Sequence, residues 1–247
     1  TYTGYPLVKE ARALVAGGQL GAVKRVAVSY TQDWLSRDEH GKQAAWRSDP
    51  AQSGEAGAFG DIGTHAFNLV EYITGERVAR LAAELRAVVP GRKLDDDGSA
   101  MFELASGARG TLTASQVCTG DMNALTISIW CEEAGLHWRQ EEPNTLVLKR
   151  QNKPAEVLTA GINRPYLAPE AIGAARLPAG HPEGYFEAFA NIYRAFANDV
   201  RAGTQSSADP GYATIADGIS AMRFVRGARL SSEAGASWID LASLGDI

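Results

Sequence analysis

The chain has 247 residues, 45% of them hydrophobic and 21% charged, a composition that excludes disordered and collagen-like classes and suits one sizeable core or two small ones. With a formal net charge of −5 and its 24 Lys and Arg scattered, it has no electrostatic footprint for nucleic acid or an anionic membrane, so the expected partner is a small molecule. Two cysteines, Cys118 and Cys131, make a disulfide framework or a Cys-rich zinc site an unlikely match and fit a reducing cytoplasm.

No stretch approaches the roughly 18 to 20 apolar residues of a membrane span. Thr1 to Pro6 lacks the charged and apolar regions of a secretion signal. The chain does not open on Met, and the expectation is that polypeptide precedes Thr1.

Pro6 suits a first helical turn, and Leu7, Val8, Ala11, Leu14 and Val15 recur at helical spacing until Gly17-Gly18. From Val23 to Leu35 the alternation of Val26, Val28 and Tyr30 with wetter residues predicts a strand. Ser36 to Phe59 is polar and Gly-rich and reads as a long loop, with Trp46 and Arg47 as its landmarks. Asp61 to Tyr72 reads as a second helix, capped by Asp61, carrying Ile62, His65, Ala66, Leu69 and Val70, and ended by Gly75.

Six β-type runs follow, centred on Leu81 to Val89, Ser99 to Leu104, Gly110 to Val117, Ala124 to Cys131, Gly135 to Arg139 and Thr145 to Leu148. Short turns such as Ser106-Gly107 imply an antiparallel meander. Two helices close the chain. Pro182 to Ala202 bears an aromatic stripe, with Tyr185, Phe186 and Phe189 expected in the core, and the last helix runs from Gly211 to about Leu230. The predicted fold is α+β, an open, mainly antiparallel sheet with helices on one face. Leu112, Ile127, Ile129 and Trp138 would then be available on a sheet face that needs cover, and a homodimer through the sheet would cover it.

For chemistry, the informative run is Gly54-Glu55-Ala56-Gly57-Ala58-Phe59-Gly60-Asp61-Ile62-Gly63-Thr64-His65. Asp61 and His65 are four apart and share a face near a helix start, where a carboxylate can orient an imidazole for proton transfer. The helix N-terminus lowers a histidine pKa and Asp61 raises it, which leaves the direction open. The plain alternative is a cap and a core histidine. The glycines form no GxGxxG fingerprint. Arg47 can pair a phosphate or carboxylate bidentately or make a surface salt bridge. Asp95-Asp96-Asp97 reads as a solvated turn, and His40 and His137 carry no argument for function.

The run into Gly60-Asp61-Ile62-Gly63-Thr64-His65 resembles the signature of the Gfo/Idh/MocA oxidoreductases (glucose-fructose oxidoreductase, inositol dehydrogenase and rhizopine catabolism). Trp46-Arg47 before Asp49-Pro50, His181-Pro182-Glu183-Gly184-Tyr185 before a long helix, and Ala216-Asp217-Gly218 opening the last one add three further motifs in order. The resemblance covers essentially the whole chain. It implies a two-domain enzyme whose N-terminal Rossmann domain binds NAD or NADP, with a Glu-Lys-Pro lysine acting beside Asp61 and His65. This chain has neither the Glu-Lys-Pro nor the Rossmann fingerprint, so residues 1–247 match the C-terminal substrate-binding and oligomerisation domain alone.

On that resemblance His65 transfers the proton and Asp61 supports it or binds substrate, while Trp46 and Arg47 contact the dinucleotide. Thr64, within the motif, and His181 are the substrate-binding candidates; a capping role is equally open for His181. The expected reaction passes hydride between nicotinamide and a sugar, polyol or inositol-like secondary alcohol, in a homodimer or homotetramer, and the isolated chain is expected to be inactive. Two alternatives stand beside it: a standalone binding or dimerisation module, and a metal-dependent lyase or isomerase with Asp61, His65 and His181 as ligands.

Overall fold

The computed structural model describes residues 1–37, 41, 46–47, 49–204 and 210–245; His40 lies outside them. Among the described residues the α-helices are α1 (Pro6–Ala16), α2 (Pro50–Ser53), α3 (Thr64–Thr74), α4 (Pro169–Ala174), α5 (Tyr185–Ala202) and α6 (Ile215–Glu233). The strands are β1 (Val23–Thr31), β2 (Val78–Arg86), β3 (Asp97–Leu104), β4 (Arg109–Ser115), β5 (Ala124–Cys131), β6 (Gly135–Arg139), β7 (Thr145–Lys149), β8 (Glu156–Thr159) and β9 (Ile239–Asp240). They form an open, mainly antiparallel sheet, so the fold is α+β as expected. The short β8 and β9 carry too little alternation to stand out in the sequence. The chain divides into two compact units, Thr1–Lys24 with Tyr72–Gly75 and Ser128–Gly218, and Arg25–Glu71 with Glu76–Ile127 and Ile219–Ile247.

In the first unit, α1 begins with Pro6 at its first turn and ends at Gly17. Its apolar stripe of Leu7, Val8 and Ala11 is buried. Strands β6, β7 and β8 form an antiparallel meander, with Trp138 opposite Leu146 and Leu148 opposite both Leu136 and Glu156. Helix α5 begins at Tyr185, three residues later than predicted, because the backbone N–H of Gly184 donates to Glu187 and closes a cap there. The buried side of α5 is the polar and small one, Ala188, Asn191 and Asp199, with Asn191 Nδ2 donating to the carbonyls of Gly4 and Ala174. The aromatic stripe is therefore not core. Phe186 is 84% exposed and Tyr193 66%, with Tyr185 also exposed and Phe189 only partly covered.

The last helix starts at Ile215 rather than Gly211. There Thr214 Oγ1 and the Thr214 N–H both donate to Asp217, and the Asp217 N–H donates back to Thr214 Oγ1, a reciprocal cap that fixes the first turn.

In the second unit β1 pairs with β4 in parallel, from Arg25 opposite Arg109 to Thr31 opposite Ser115, and β4, β3 and β2 continue antiparallel. A pure meander would have kept neighbours in sequence adjacent. β1 comes from before the helical segment and inserts beside β4, which is why the turn signals alone missed the parallel pair. The alternation in β3 and β4 sends Ala100, Phe102, Leu112 and Ala114 inward and leaves Ser99, Met101, Thr111 and Thr113 on the wetter side.

Leu112, Ile127, Ile129 and Trp138, expected on a face awaiting a partner, are all buried within the chain. Their apolar character already serves the core, and the outward positions of β3 to β8 are mainly polar, charged or small, with Met101, Trp130, Val147 and Val157 among the apolar exceptions. Phe67 and Phe59 stack on Phe224 of α6 at 4.4 and 5.1 Å between ring centroids. Each stack adds roughly 0.5–1.5 kcal/mol beyond area burial, and together they tie the candidate catalytic helix to α6. Ser231 bonds the backbone of Ala83 and Ser237, joining α6 to β2.

Candidate active site

The glycine-rich run becomes a tight approach to α3. Gly54 has φ +87°, in the region that glycine tolerates and other residues avoid. At Gly57 a Cβ would lie 2.0 Å from the Asp95 carbonyl oxygen, so no side chain fits. Helical backbone begins at Ala58, and Phe59–Gly63 form a π-helical turn that runs into α3. π-Turns shift side chains out of the ordinary helical register and are frequent at functional sites.

Asp61 therefore lies inside helical backbone and is not its cap. The cap comes from Asp95, whose carboxylate accepts the backbone N–H of Gly57 at 2.7 Å and of Phe59 at 2.8 Å. Burial raises the Asp95 pKa against the lowering effect of those bonds. Asp96 is buried and accepts the N–H groups of Val88 and Val89. Asp95 and Asp96 thus form a structural clamp rather than a solvated turn, because their side chains satisfy backbone donors, and Asp97 opens β3.

Freed from capping, the Asp61 carboxylate is a hub. Arg47 Nε donates to its Oδ2 at 2.8 Å and Gln116 Nε2 donates to the same oxygen at 2.9 Å. Both donors are themselves positioned. The Arg47 guanidinium lies over the rings of Trp34 and Trp46, at 5.5 and 5.1 Å from their centroids, and Gln116, almost fully buried, reaches Gln32, which accepts from Trp34 Nε1. Among the described residues no donor reaches Oδ1, which leaves that oxygen to accept a ligand hydroxyl. Thr64 Oγ1 donates back to the carbonyls of Gly60 and Asp61, so toward a ligand it acts as an acceptor.

His65 follows one turn after Asp61 and retains exposed surface. The protein packed around its ring lowers its pKa by desolvation, against the raising effect of Asp61. That desolvation favours the neutral, proton-accepting imidazole. The Tyr30 ring lies 6.5 Å from it, tilted by 51°. Tyr30 is itself fixed by its hydroxyl donating to Asn123 at 2.6 Å.

A cleft of about 440 Å³ is lined by Trp46, Arg47, Glu55, Asp61, Thr64 and, from α6, Arg226, among others; the size suits a small ligand. It brings together four of the six sequence candidates. His65 is placed beside Asp61 by the helix, and His181 lies in the first unit, exposed, with Nδ1 3.2 Å from the Pro178 carbonyl. Gln116, Asp95, Tyr30 and Arg226 were not among the site residues expected from the sequence. Gln116 lies near the end of a β-type run and Arg226 within the last long helix, and neither carries a local signal. Among the described residues no group of three or more His, Cys, Asp or Glu is arranged to hold a metal ion.

Residues 8–137 match the family profile described as GFO/IDH/MocA C-terminal domain. Over 248 aligned residues the chain is 29% identical to an uncharacterised oxidoreductase, YfiI, of Bacillus subtilis, covering 97% of this chain and 63% of that protein. Two solved structures superpose closely. An oxidoreductase from Sinorhizobium meliloti gives a TM-score of 0.84 at 37% identity, covering 97% of this chain and 62% of that one. An inositol dehydrogenase homologue from Azotobacter vinelandii, in complex with NADH and myo-inositol, gives 0.86 at 31%, with the same coverage of 97% and 62%. The chain therefore spans somewhat less than two thirds of the length of these relatives.

Proposed function

We propose that this chain, which belongs to the GFO/IDH/MocA C-terminal domain family, is the substrate-binding and assembly portion of an NAD(P)-dependent oxidoreductase acting on a sugar, polyol or inositol-like secondary alcohol. The observation that carries the reading is the convergence of Asp61, held by Arg47 and Gln116, with Thr64 in one cleft and with His65 one turn beyond. The myo-inositol and NADH bound by the Azotobacter vinelandii relative support the substrate class and the cofactor.

The donor set suits a hydroxylated ligand. Asp61 Oδ1 and Thr64 Oγ1 accept from hydroxyls, and a neutral imidazole at His65 takes the proton that leaves the reacting oxygen. Asp61 orients that imidazole and stabilises the charge it acquires. The dinucleotide, when bound, supplies the hydride acceptor or donor. Trp46 and Arg47 would border its reacting end, and the Arg47 side chain, engaged with Asp61, acts there chiefly by fixing the carboxylate. With no GxGxxG between a strand and a helix, this chain lacks the glycine cradle that holds a dinucleotide's pyrophosphate; further polypeptide, as in the longer relatives, would supply it, in a cytoplasmic enzyme.

The outward sheet face, with Met101 53% exposed among Ser99, Thr111 and Thr113, is the surface through which two or four copies would associate. The test is reduction of NAD+ or NADP+ by the polypeptide encoded by the complete reading frame, with myo-inositol and a panel of sugars and polyols, beside the 247-residue chain alone. Activity in the first and none in the second is the expected result. No turnover with any of them would remove the dehydrogenase reading.

A further inference from the structure

The charges around the cleft are mostly committed. Asp61 is paired with Arg47 at 2.8 Å, and Glu55 is paired with Arg229 at 3.0 Å, which also holds Glu233. Among the described residues that line the cleft, Arg226 is the cation that remains. It lines the cleft one helical turn after Met222 and is exposed, and it has no hydrogen bond or ion pair among the described residues. Its neighbours on α6 at three residues either way are also arginines, Arg223 and Arg229, and the Nε of Arg223 is buried without an acceptor. The Arg223 charge adds to the local positive potential, while that of Arg229 is balanced by Glu55 and Glu233. The same cleft offers hydroxyl-binding acceptors at Asp61 and Thr64 and apolar lining at Ala56 and Val225. A neutral polyol would use the acceptors and the apolar lining and leave the Arg226 guanidinium to water alone.

We propose that Arg226 makes this cleft selective for an anionic oxygen group, either a carboxylate carried by the reacting sugar or a phosphate of the dinucleotide bound next to it. The inference rests on the oxidoreductase reading for the identity of the cleft, but its test needs no turnover. A guanidinium with its planar fork matches either group bidentately. Because the side chain is exposed, the attraction weakens as salt screens it.

The experiment is calorimetric titration of the 247-residue chain with D-glucuronate, with D-glucose, which lacks only the carboxylate, and with NADH, at low and at physiological salt. The same titrations are made on Arg226→Met, which keeps the aliphatic stem, and on Arg226→Lys, which keeps the charge, and far-UV circular dichroism verifies the fold of each. If the carboxylate is the ligand group, the wild-type chain binds glucuronate about tenfold more tightly than glucose. That preference disappears in Arg226→Met and is partly kept in Arg226→Lys. A loss confined to NADH in Arg226→Met assigns the anion to the dinucleotide.

Equal binding of glucuronate and glucose by the wild type with NADH affinity unchanged in Arg226→Met overturns the proposal. So does absence of binding by all three ligands, or a glucuronate preference that survives Arg226→Met. Should the complete polypeptide fail to oxidise any alcohol while the glucuronate preference still depends on Arg226, the dehydrogenase reading falls and the anion site stands.

Discussion

Gln116 Nε2 and Asp61 Oδ2 lie 2.9 Å apart, joining a buried residue just beyond β4 to the π-turn that precedes α3. With the Arg47 bond to the same oxygen, two donors from separate parts of the chain fix one carboxylate. Misplacement of a positioned group by about 1 Å can cost roughly 10²-fold in rate. Replacing Gln116 with Leu, which fills similar space without a donor, is therefore expected to lower kcat/KM of the complete enzyme by about 10- to 100-fold while the circular dichroism spectrum is unchanged. An unchanged kcat/KM would mean that Arg47 alone holds Asp61.

The lowered pKa of His65 has a pH signature. An imidazole that protonates below its ordinary value of about 6.5 remains a base at mildly acidic pH, so the acid limb of kcat/KM should fall below that value and disappear in His65→Gln. The same shift affects stability. Above about pH 6.5 His65 is neutral folded and unfolded and costs nothing; as pH falls from there through the folded pKa, the unfolded chain binds the proton more readily and stability is lost. His137, whose pKa burial also lowers, contributes in the same direction. The wild-type minus His65→Gln difference in urea midpoint isolates His65, and it should turn against the wild type between pH 7.5 and 5.5. A pH-independent difference would argue against a desolvated ring.

Asp95 supplies a cap from 36 and 38 residues away in sequence. Asp95→Ala should destabilise the chain by about 1–2 kcal/mol in urea denaturation, and Asp95→Asn by less, since an amide oxygen can still accept. Equal losses for the two would mean that the charge, rather than the acceptor, matters.

On the sheet face, Met101→Glu places a charge at an exposed position of β3. If that face joins copies of the chain, light scattering should show a shift toward monomer with the melting temperature of the isolated fold little changed. An unaltered mass would move the interface elsewhere.

Much of this fold was legible because its signals are local. Pro6 and Gly17 bracket α1, and the alternation of β3 to β7 set those strands to within a few residues. Asp61, Thr64 and His65 were legible as a spaced motif. What could not be read depends on tertiary partners. Asp61 was mistaken for a cap because its true substitute, Asp95, sits beyond β2. The parallel β1 and β4 pair has no turn to announce it. The stripe of Phe186 and Tyr193 on α5 has the spacing of a core face, but Asn191 bonds Gly4 and Ala174 on the opposite side and turns the aromatics outward. Gln116 and Arg226 lack any sequence signature, since their importance lies in what the fold sets beside them.

The most direct measurement is myo-inositol-dependent reduction of NAD+ by the complete polypeptide and by its His65→Gln variant, with myo-inositol affinity followed in parallel by calorimetry. The account predicts turnover in the wild type, a loss of about 10²- to 10⁴-fold in kcat for the variant, and substrate affinity kept within about threefold. Turnover that survives the substitution undiminished would contradict the assignment of His65 as the group that moves the proton.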